Sequence, residues 1–450
     1  MSLWFSEHGG KPSRSPIAPS PVAQTAIARQ APAAHALRAR QQYQLPEAIA
    51  FLASYGVAPG VLLEAVARAA ADGVRAEAAL LAGGGVSAGF YYRALARHLG
   101  LPFIDGAAAL APGAGFPVSL TAGFAPLDND SEPGPAWLFA PAGKRLDELL
   151  QLKRRGTLPR DRFAIAAPEH LRDLVFERGG AGIADASANM VANWRPDLSA
   201  KHPATAAQKL ALLFLFGLFG FGVIAGGNLW LAISLLSGFV LSGAIVVRLF
   251  AAAGSCDASA FVPAPPIADR DLPVFTIVVA LYKEVAVAAS LAAALGRLDY
   301  PHAKLDIIFV VEADDDETRA AFLALKLPAR FQILTAPDGK PRTKPRALNV
   351  ALPLARGEYI CVYDAEDLPE PGQLREAAAL FAQQGESVAC VQGRLAIDNH
   401  GDSWLTRMFA LEYAALFDVV NPGLAWLGMP IPLGGTSNHF RGIRQQRHQA

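Results

Sequence analysis

Apolar and polar positions fall into three regimes along this chain, and each regime predicts different elements. The first is a run without charge: residues 210–247 contain no Asp, Glu, Lys or Arg. At ~1.5 Å rise per residue, about 38 positions are twice the ~20 needed to cross a bilayer. Gly226-Gly227-Asn228 interrupts the run near its middle. A soluble helix needs a polar face, so the pattern predicts two membrane-spanning helices joined by a tight turn, a transmembrane hairpin over 208–250. Lys201 and Lys209 precede it and Arg248 ends it, while the turn is uncharged. The positive-inside rule then places both flanks, and the soluble regions attached to them, in the cytoplasm.

The second regime begins at Pro273, where continuous apolar β-branched runs alternate with Ala- and Leu-rich stretches. Strands are predicted over 275–280, 306–311, 331–334, 359–363 and 388–392. Helices are predicted up to about 298 and over 318–325, 346–355 and 373–383. Repeated βα units of this length imply an α/β domain with a mostly parallel sheet and helices on both faces. A Pro- and Ala-rich stretch, 251–272, reads as a linker between membrane and sheet.

The third regime, 45–200, predicts a smaller helical or α+β domain suited to regulation or docking. Gly56-Val57-Ala58-Pro59-Gly60 leads to Ala65-Val66-Ala67-Arg68, and the frame recurs as Gly85-Val86-Ser87-Ala88-Gly89 leading to Ala94-Leu95-Ala96-Arg97. Each copy reads as a glycine turn opening an amphipathic helix; two copies are too few for a solenoid. Residues 1–44, rich in Pro, Ala, Ser and Gln, read as disordered. The first 16 residues hold no apolar signal-peptide core.

Composition narrows the function classes. Formal net charge is zero, so nothing points to nucleic acid, and hydrophobic residues make up 52%, an excess concentrated in the uncharged run. Cys256, Cys361 and Cys390 are far apart and form no disulfide framework. No G-x-G-x-x-G follows the first predicted strand, where Leu281-Tyr282-Lys283-Glu284 stands, and no Walker A sequence occurs. The informative feature is where acids fall. Glu284 follows the first predicted strand, Glu312 ends the second, and Asp364 and Glu366 follow the fourth. Ligands of open α/β sheets bind outside the carboxyl ends of the strands, so these acids converge on one edge. Such a cluster calls for a bound cation or a polar ligand, and Mg²⁺ or Mn²⁺ bridging a diphosphate suits it.

Four segments in order then carry a resemblance: Val310-Val311-Glu312-Ala313-Asp314-Asp315-Asp316-Glu317-Thr318; Lys344-Pro345-Arg346-Ala347-Leu348-Asn349; Tyr363-Asp364-Ala365-Glu366-Asp367-Leu368-Pro369-Glu370-Pro371; and Gly434-Gly435-Thr436-Ser437-Asn438-His439-Phe440-Arg441. Over 273–441 the chain resembles family 2 glycosyltransferases, in particular the cellulose-synthase-like β-glucan synthases of bacteria. The resemblance implies a glycosyltransferase A-type, Rossmann-like domain over 273–450. It would transfer a sugar, UDP-glucose being the natural donor, to a growing polysaccharide with inversion and a divalent cation. It assigns Glu284 to the uridine pocket, Glu312 to base or ribose, Lys344 to the diphosphate, Asp364 to nucleotide and metal, and Glu366 to metal. Glu366 stands where the family's D-x-D has its second Asp, and the 434–439 loop resembles one near the acceptor. The family's catalytic base, the Asp of a T-E-D motif, would lie beyond residue 450, as would Q-x-x-R-W and further membrane helices. The domain therefore reads as incomplete, better equipped for donor binding than for turnover, on the cytoplasmic face of a bacterial inner membrane. Residues 45–190 loosely resemble the N-terminal domain of type II secretion and pilus ATPases, some of which bind cyclic di-GMP.

Simpler roles stay open at this point. Glu284 could be an acid at a helix N-terminus, Lys344 a solvated lysine, and Asp314 to Asp316 a turn and helix cap. Trp404, Phe409, Tyr413 and Phe417 recur at helical spacing and could line an acceptor sugar, pack in a core or lie at a membrane interface. His439 lacks a neighbouring ligand for a metal role. Two other classes also remain: a non-catalytic, membrane-tethered nucleotide-sugar-binding protein, and a secretion-apparatus scaffold acting through 45–190.

Overall fold

A computed structural model describes residues 45–128, 134–201, 203–258 and 264–442. The expected disordered segment 1–44 and the basic tail after Gly442 lie outside the described residues, as does the side chain of Cys256.

After short helical turns at Glu47–Ala50 and Phe51–Tyr55, the N-terminal region continues with helices α1 (Pro59–Asp72), α2 (Ala76–Ala82) and α3 (Ala88–Leu99). The two repeat copies become α1 and α3. Ser87 caps α3 by accepting the Phe90 N–H at 3.3 Å, which satisfies one of the unpaired donors of its first turn. A small sheet follows, β1 (Phe124–Pro126), β2 (Trp137–Phe139) and β3 (Phe163–Ile165), with β1–β2 antiparallel and β2–β3 parallel. Helix α4 (Lys144–Arg154) lies between β2 and β3. The region ends in α5 (Pro168–Ala188), and that helix serves two cores. Leu171, Leu174 and Val175 pack with Ala125, Leu138 and Ala164 of the small sheet. Two to three turns later, Ile183 packs with Val278, Ile308, Val310 and Val350 of the larger domain.

Two long apolar helices come next, α6 (Ala206–Ala225) and α7 (Gly227–Ala258). Both are long and apolar enough to cross a membrane, and their large side chains are exposed, Phe239 at 78%. The break falls at Gly226, whose φ of +79° is open to glycine and strained for other residues. Phe219 and Trp230 meet edge to face across it, ring centroids 5.3 Å apart. The expected linker at 251–272 is corrected here. Residues 251–258 continue α7, with Ala251 fully buried, and among the described residues of this stretch 264–272 are extended or turned. Alanine-rich sequence suits both states, and packing decides for the helix.

The larger domain has strands β4 (Phe275–Leu281), β5 (Leu305–Glu312), β6 (Phe331–Ala336), β7 (Tyr359–Tyr363), β8 (Cys390–Gln392) and β9 (Asn438–Arg441). Its helices are α8 (Ala288–Gly296), α9 (Asp316–Ala324), α10 (Lys344–Ala351), α11 (Gln373–Gln384), α12 (Trp404–Ala414) and α13 (Asn421–Trp426). Strand order is β6-β5-β4-β7-β9-β8. The expected parallel core, β4 to β7, is present, and β9 runs against both neighbours, so the sheet is mixed. Strand β9 begins within the 434–439 segment that the sequence suggested was a loop and runs on to Arg441. Side chains alternate between two layers. Ile277, Val279, Ile307 and Phe309 face α8, α9 and α11, whereas Val278, Ile308 and Val310 face α10 and α5.

Candidate functional site

The sheet order brings three βα loops together, because β4 lies between β5 and β7. The loop after β4 is held by its neighbour. Lys283, at φ 61°, donates its N–H to the Asp315 carboxylate, and Glu284 donates its N–H to Thr318 Oγ1 at 2.9 Å. Asp315 also accepts the Thr318 N–H as the N-cap of α9. Burial alone would raise the Asp315 carboxyl, but these donors outweigh it and hold it below its ordinary range. Asp315 is thus the helix cap, while Asp314 pairs with Arg342. Glu284 is half-buried, and its carboxylate makes no hydrogen bond or ion pair among the described residues.

Glu312 ends β5 and lies under the surface, where it pairs with Arg346 of α10. The guanidinium is almost wholly buried and also donates to the Pro337 carbonyl at 2.8 Å; its Nε has no partner. Burial raises the Glu312 carboxyl above its ordinary value, against the pull of Arg346. Two residues before Arg346, Lys344 starts α10 and points the other way. Its ammonium pairs with the Asp364 carboxylate and donates to the Gly435 carbonyl at 2.9 Å. Both side chains of that pair remain about one-third exposed, 33% and 32%.

Asp364 follows β7, and its N–H is shared between Asp367 Oδ2 at 2.7 Å and Thr436 Oγ1 at 3.1 Å. The Thr436 hydroxyl donates in turn to Asp367. Burial raises the Asp367 carboxyl, partly offset by the Thr436 donor. This bond ties the 434–437 loop onto the Asp364 turn, with Ser437 N–H on the Val362 carbonyl at 2.8 Å as a second tie. Glu366 is exposed on the same turn and free of protein partners among the described residues. His439 faces inward as the register partner of Cys361, edge-on to Phe275 and Tyr363, and donates to the Val391 carbonyl.

Of the residues singled out from sequence, Lys344, Asp364 and Glu366 share one edge with the 434–436 loop. Glu284 stands on the adjoining loop, and Glu312 lies beneath, joined to the site through Arg346. Sequence reasoning missed Arg346, Asp367 and Thr436 as working residues. Their one available signal was membership of the quoted motifs, since their partners are 34 and 69 residues away.

Among the described residues, no group of three or more His, Cys, Asp or Glu is poised on a metal. Asp364 and Glu366 still fit a hard cation that takes one or two protein carboxylates and the rest of its shell from phosphate and water. The Lys344 ammonium on Asp364 marks that carboxylate as a place where positive charge settles. A cavity of about 800 Å³ lies elsewhere, between α3 and α5 on one side and α9 and β6 on the other. Its lining, which includes Ser87, Arg172, Phe176, Lys326 and Ile333, contains none of these acids.

Of the aromatic stripe, Trp404 (74% exposed) and Phe409 face outward with Met408 and Leu411, whereas Tyr413 and Phe417 are half-buried and lie against each other, ring centroids 6.0 Å apart. The following α13 packs on the end of α7. Gly423 lies against the Ala251 backbone, and Gly254 leaves room for the Trp426 ring.

Residues 273–417 match the family model described as Glycosyltransferase like family 2. Among curated proteins, the chain is 34% identical over 137 residues to a beta-monoglucosyldiacylglycerol synthase of Trichormus variabilis, covering 30% of this chain and 29% of that protein. It is 27% identical over 145 residues to the probable glycosyltransferase YdaM of Bacillus subtilis, covering 32% and 34%. The chain therefore spans about a third of the length of these relatives. Among solved structures, a mannosyltransferase from Pyrobaculum calidifontis in complex with GDP-Man and Mn²⁺ aligns at 20% identity and TM-score 0.33, covering 47% of this chain and 57% of that one. Glucosyl-3-phosphoglycerate synthase from Mycobacterium tuberculosis aligns at 16% identity and TM-score 0.26, covering 38% and 57%.

Proposed function

We propose that the glycosyltransferase family 2 domain at 273–417 makes this chain a membrane-bound hexosyltransferase using a UDP-sugar, with UDP-glucose the first donor to try. The observation that carries this reading is the partly exposed pairing of Lys344 with Asp364 at the open sheet edge, against the 434–436 loop. A diphosphate suits that pairing: its oxygens can take the Lys344 ammonium and release Asp364. Asp364 and Glu366 would then hold Mg²⁺ or Mn²⁺, which neutralises diphosphate charge when bound. Glu284, on the adjoining loop with an unengaged carboxylate, serves the nucleoside. Glu312 supports the site from below through Arg346 instead of touching the base or ribose directly. The acceptor hydroxyl displaces the nucleoside diphosphate in one step and inverts the anomeric centre.

In this reading α6 and α7 form a hairpin in a bacterial inner membrane, with the regions before and after it in the cytoplasm. The first acceptor is a growing polysaccharide, as the cellulose-synthase-like resemblance implies. A second acceptor class, a membrane lipid, is favoured by the outward-facing apolar side chains of α12, which leads into the segment packed on α7, and by the relatives named as beta-monoglucosyldiacylglycerol synthases. The N-terminal region has a regulatory or docking role, for which its resemblance to secretion ATPases suggests cyclic di-GMP as one ligand to try.

Membranes carrying the chain, supplied with radiolabelled UDP-glucose and Mn²⁺, should incorporate label into either an organic-soluble or a water-insoluble product. The fraction that gains label decides between lipid and polysaccharide. Chelation should stop incorporation and added Mn²⁺ should restore it. Label in neither fraction, with UDP still bound, would instead support a nucleotide-sugar-binding protein without turnover.

A further inference from the structure

Helix α5 belongs to the N-terminal region by sequence, yet its last turns line the back of the Lys344 helix. Four contacts make the connection. Ile183 is buried in the same cluster as Ala347 and Val350 of α10. The Asn349 side-chain amide donates to the Ser187 carbonyl at 2.9 Å, 162 residues away in sequence. Gly339, in the loop that leads into α10, runs so close to α5 that a Cβ there would stand 2.6 Å from Ala184 Cβ and 3.0 Å from Arg346 Nη1. Gly180 lies at ordinary contact distance from Pro337, whose carbonyl accepts from Arg346. The route from the N-terminal region to the site is therefore continuous: α5 to the 337–343 loop, to Arg346 and Glu312, and to Lys344 on Asp364.

We infer that the 180–188 end of α5 is a positioning element of the donor site, with Ala184 and Ser187 setting where α10 presents Lys344. A donor site at Lys344 and Asp364 is its premise. Packed contacts of this kind have few alternative arrangements, so a shift of α5 is passed on, not absorbed. The same helix is rooted in the small sheet through Leu171 and Val175. Whatever moves the N-terminal region thus reaches Lys344 without touching the donor.

The glycine contact supplies a reversible test on the full chain in detergent. Gly339→Ala adds one methyl against Ala184, an overpacking large enough to weaken UDP binding with Mn²⁺ by about tenfold or more. Ala184→Gly alone removes a packed methyl from the helix and should weaken UDP binding severalfold, and Gly339→Ala with Ala184→Gly should bind more tightly than Gly339→Ala, regaining most of its loss. Asn349→Ala should weaken binding severalfold, because it cuts the tie to Ser187. Hydrogen exchange over 337–351 gives a readout that needs no ligand: Gly339→Ala should speed it and the double variant should restore it. Unchanged affinity and exchange in Gly339→Ala would overturn the inference. So would a loss that Ala184→Gly does not repair, since the loop would then act without α5. If UDP fails to bind even the unmodified chain, the donor reading falls, and exchange in the same variants still decides whether α5 positions α10.

Discussion

Two ion pairs join α10 to the sheet edge, and their surroundings differ. Arg346 and Glu312 have side chains 1% and 8% exposed, whereas Lys344 and Asp364 are about one-third exposed. The first pair has no way to solvate its charges, so each partner is obligatory to the other. The second is open to water and contributes little to stability, typically up to about 1 kcal/mol. Two residues apart on one helix, the same chemistry therefore does opposite jobs. The buried pair fixes α10, and the open pair can be exchanged for a ligand.

Breaking the buried pair should give the largest effect. Arg346→Met leaves Glu312 buried without a counter-charge and should cost about 3–5 kcal/mol of unfolding free energy. Glu312→Leu combined with Arg346→Met should recover much of that loss, as measured by chemical denaturation. If both variants lose equally, the pair matters for packing and not for charge.

His439 gives the next effect and a pH signature. Burial pulls its pKa down to about 4, against a weaker opposing hydrogen bond to the Val391 carbonyl. The unfolded chain binds a proton near pH 6.5 while the folded chain resists it. This contribution is therefore fully present above pH 6.5 and is lost as pH falls towards about 4, amounting to roughly 3 kcal/mol. His439→Phe should flatten the stability curve across that window. An unchanged slope would place the titration on another group.

A smaller change is expected where the loop meets the Asp364 turn. Thr436→Val removes the hydroxyl that donates to Asp367 and accepts from the Asp364 N–H. It should cost on the order of 1–3 kcal/mol, because a half-buried carboxylate loses its donor. Lys344→Met should shift stability least, by about 1 kcal/mol or less, while weakening UDP binding. A large unfolding effect in Lys344→Met would erase the contrast between the two pairs.

The sequence made some of this legible and hid the rest for physical reasons. Strands β4 and β5 are buried on both faces, so their unbroken apolar runs could be read directly. The acids at strand ends followed from that reading. Helix α5 was less legible because its apolar face changes partner midway, from Val175 on the small sheet to Ile183 on the large one. Nothing local in 168–188 announces a partner more than 90 residues further on. Strand β9 was hidden inside a Gly- and Ser-containing motif that reads as loop, although Asn438–Arg441 pairs with both β7 and β8. Arg346 looked like one more cation in a motif; only the fold shows that it is buried and Lys344 is not.

The central claim is that the open pair yields to a nucleoside diphosphate while the buried pair does not. Isothermal calorimetry of the full chain in detergent, titrated with UDP in the presence of Mn²⁺, tests it most directly. Asp364→Asn should lose at least about tenfold in affinity with little change in unfolding free energy, consistent with removal of one charge-assisted contact. UDP affinity in Asp364→Asn equal to that of the unmodified chain would contradict the account.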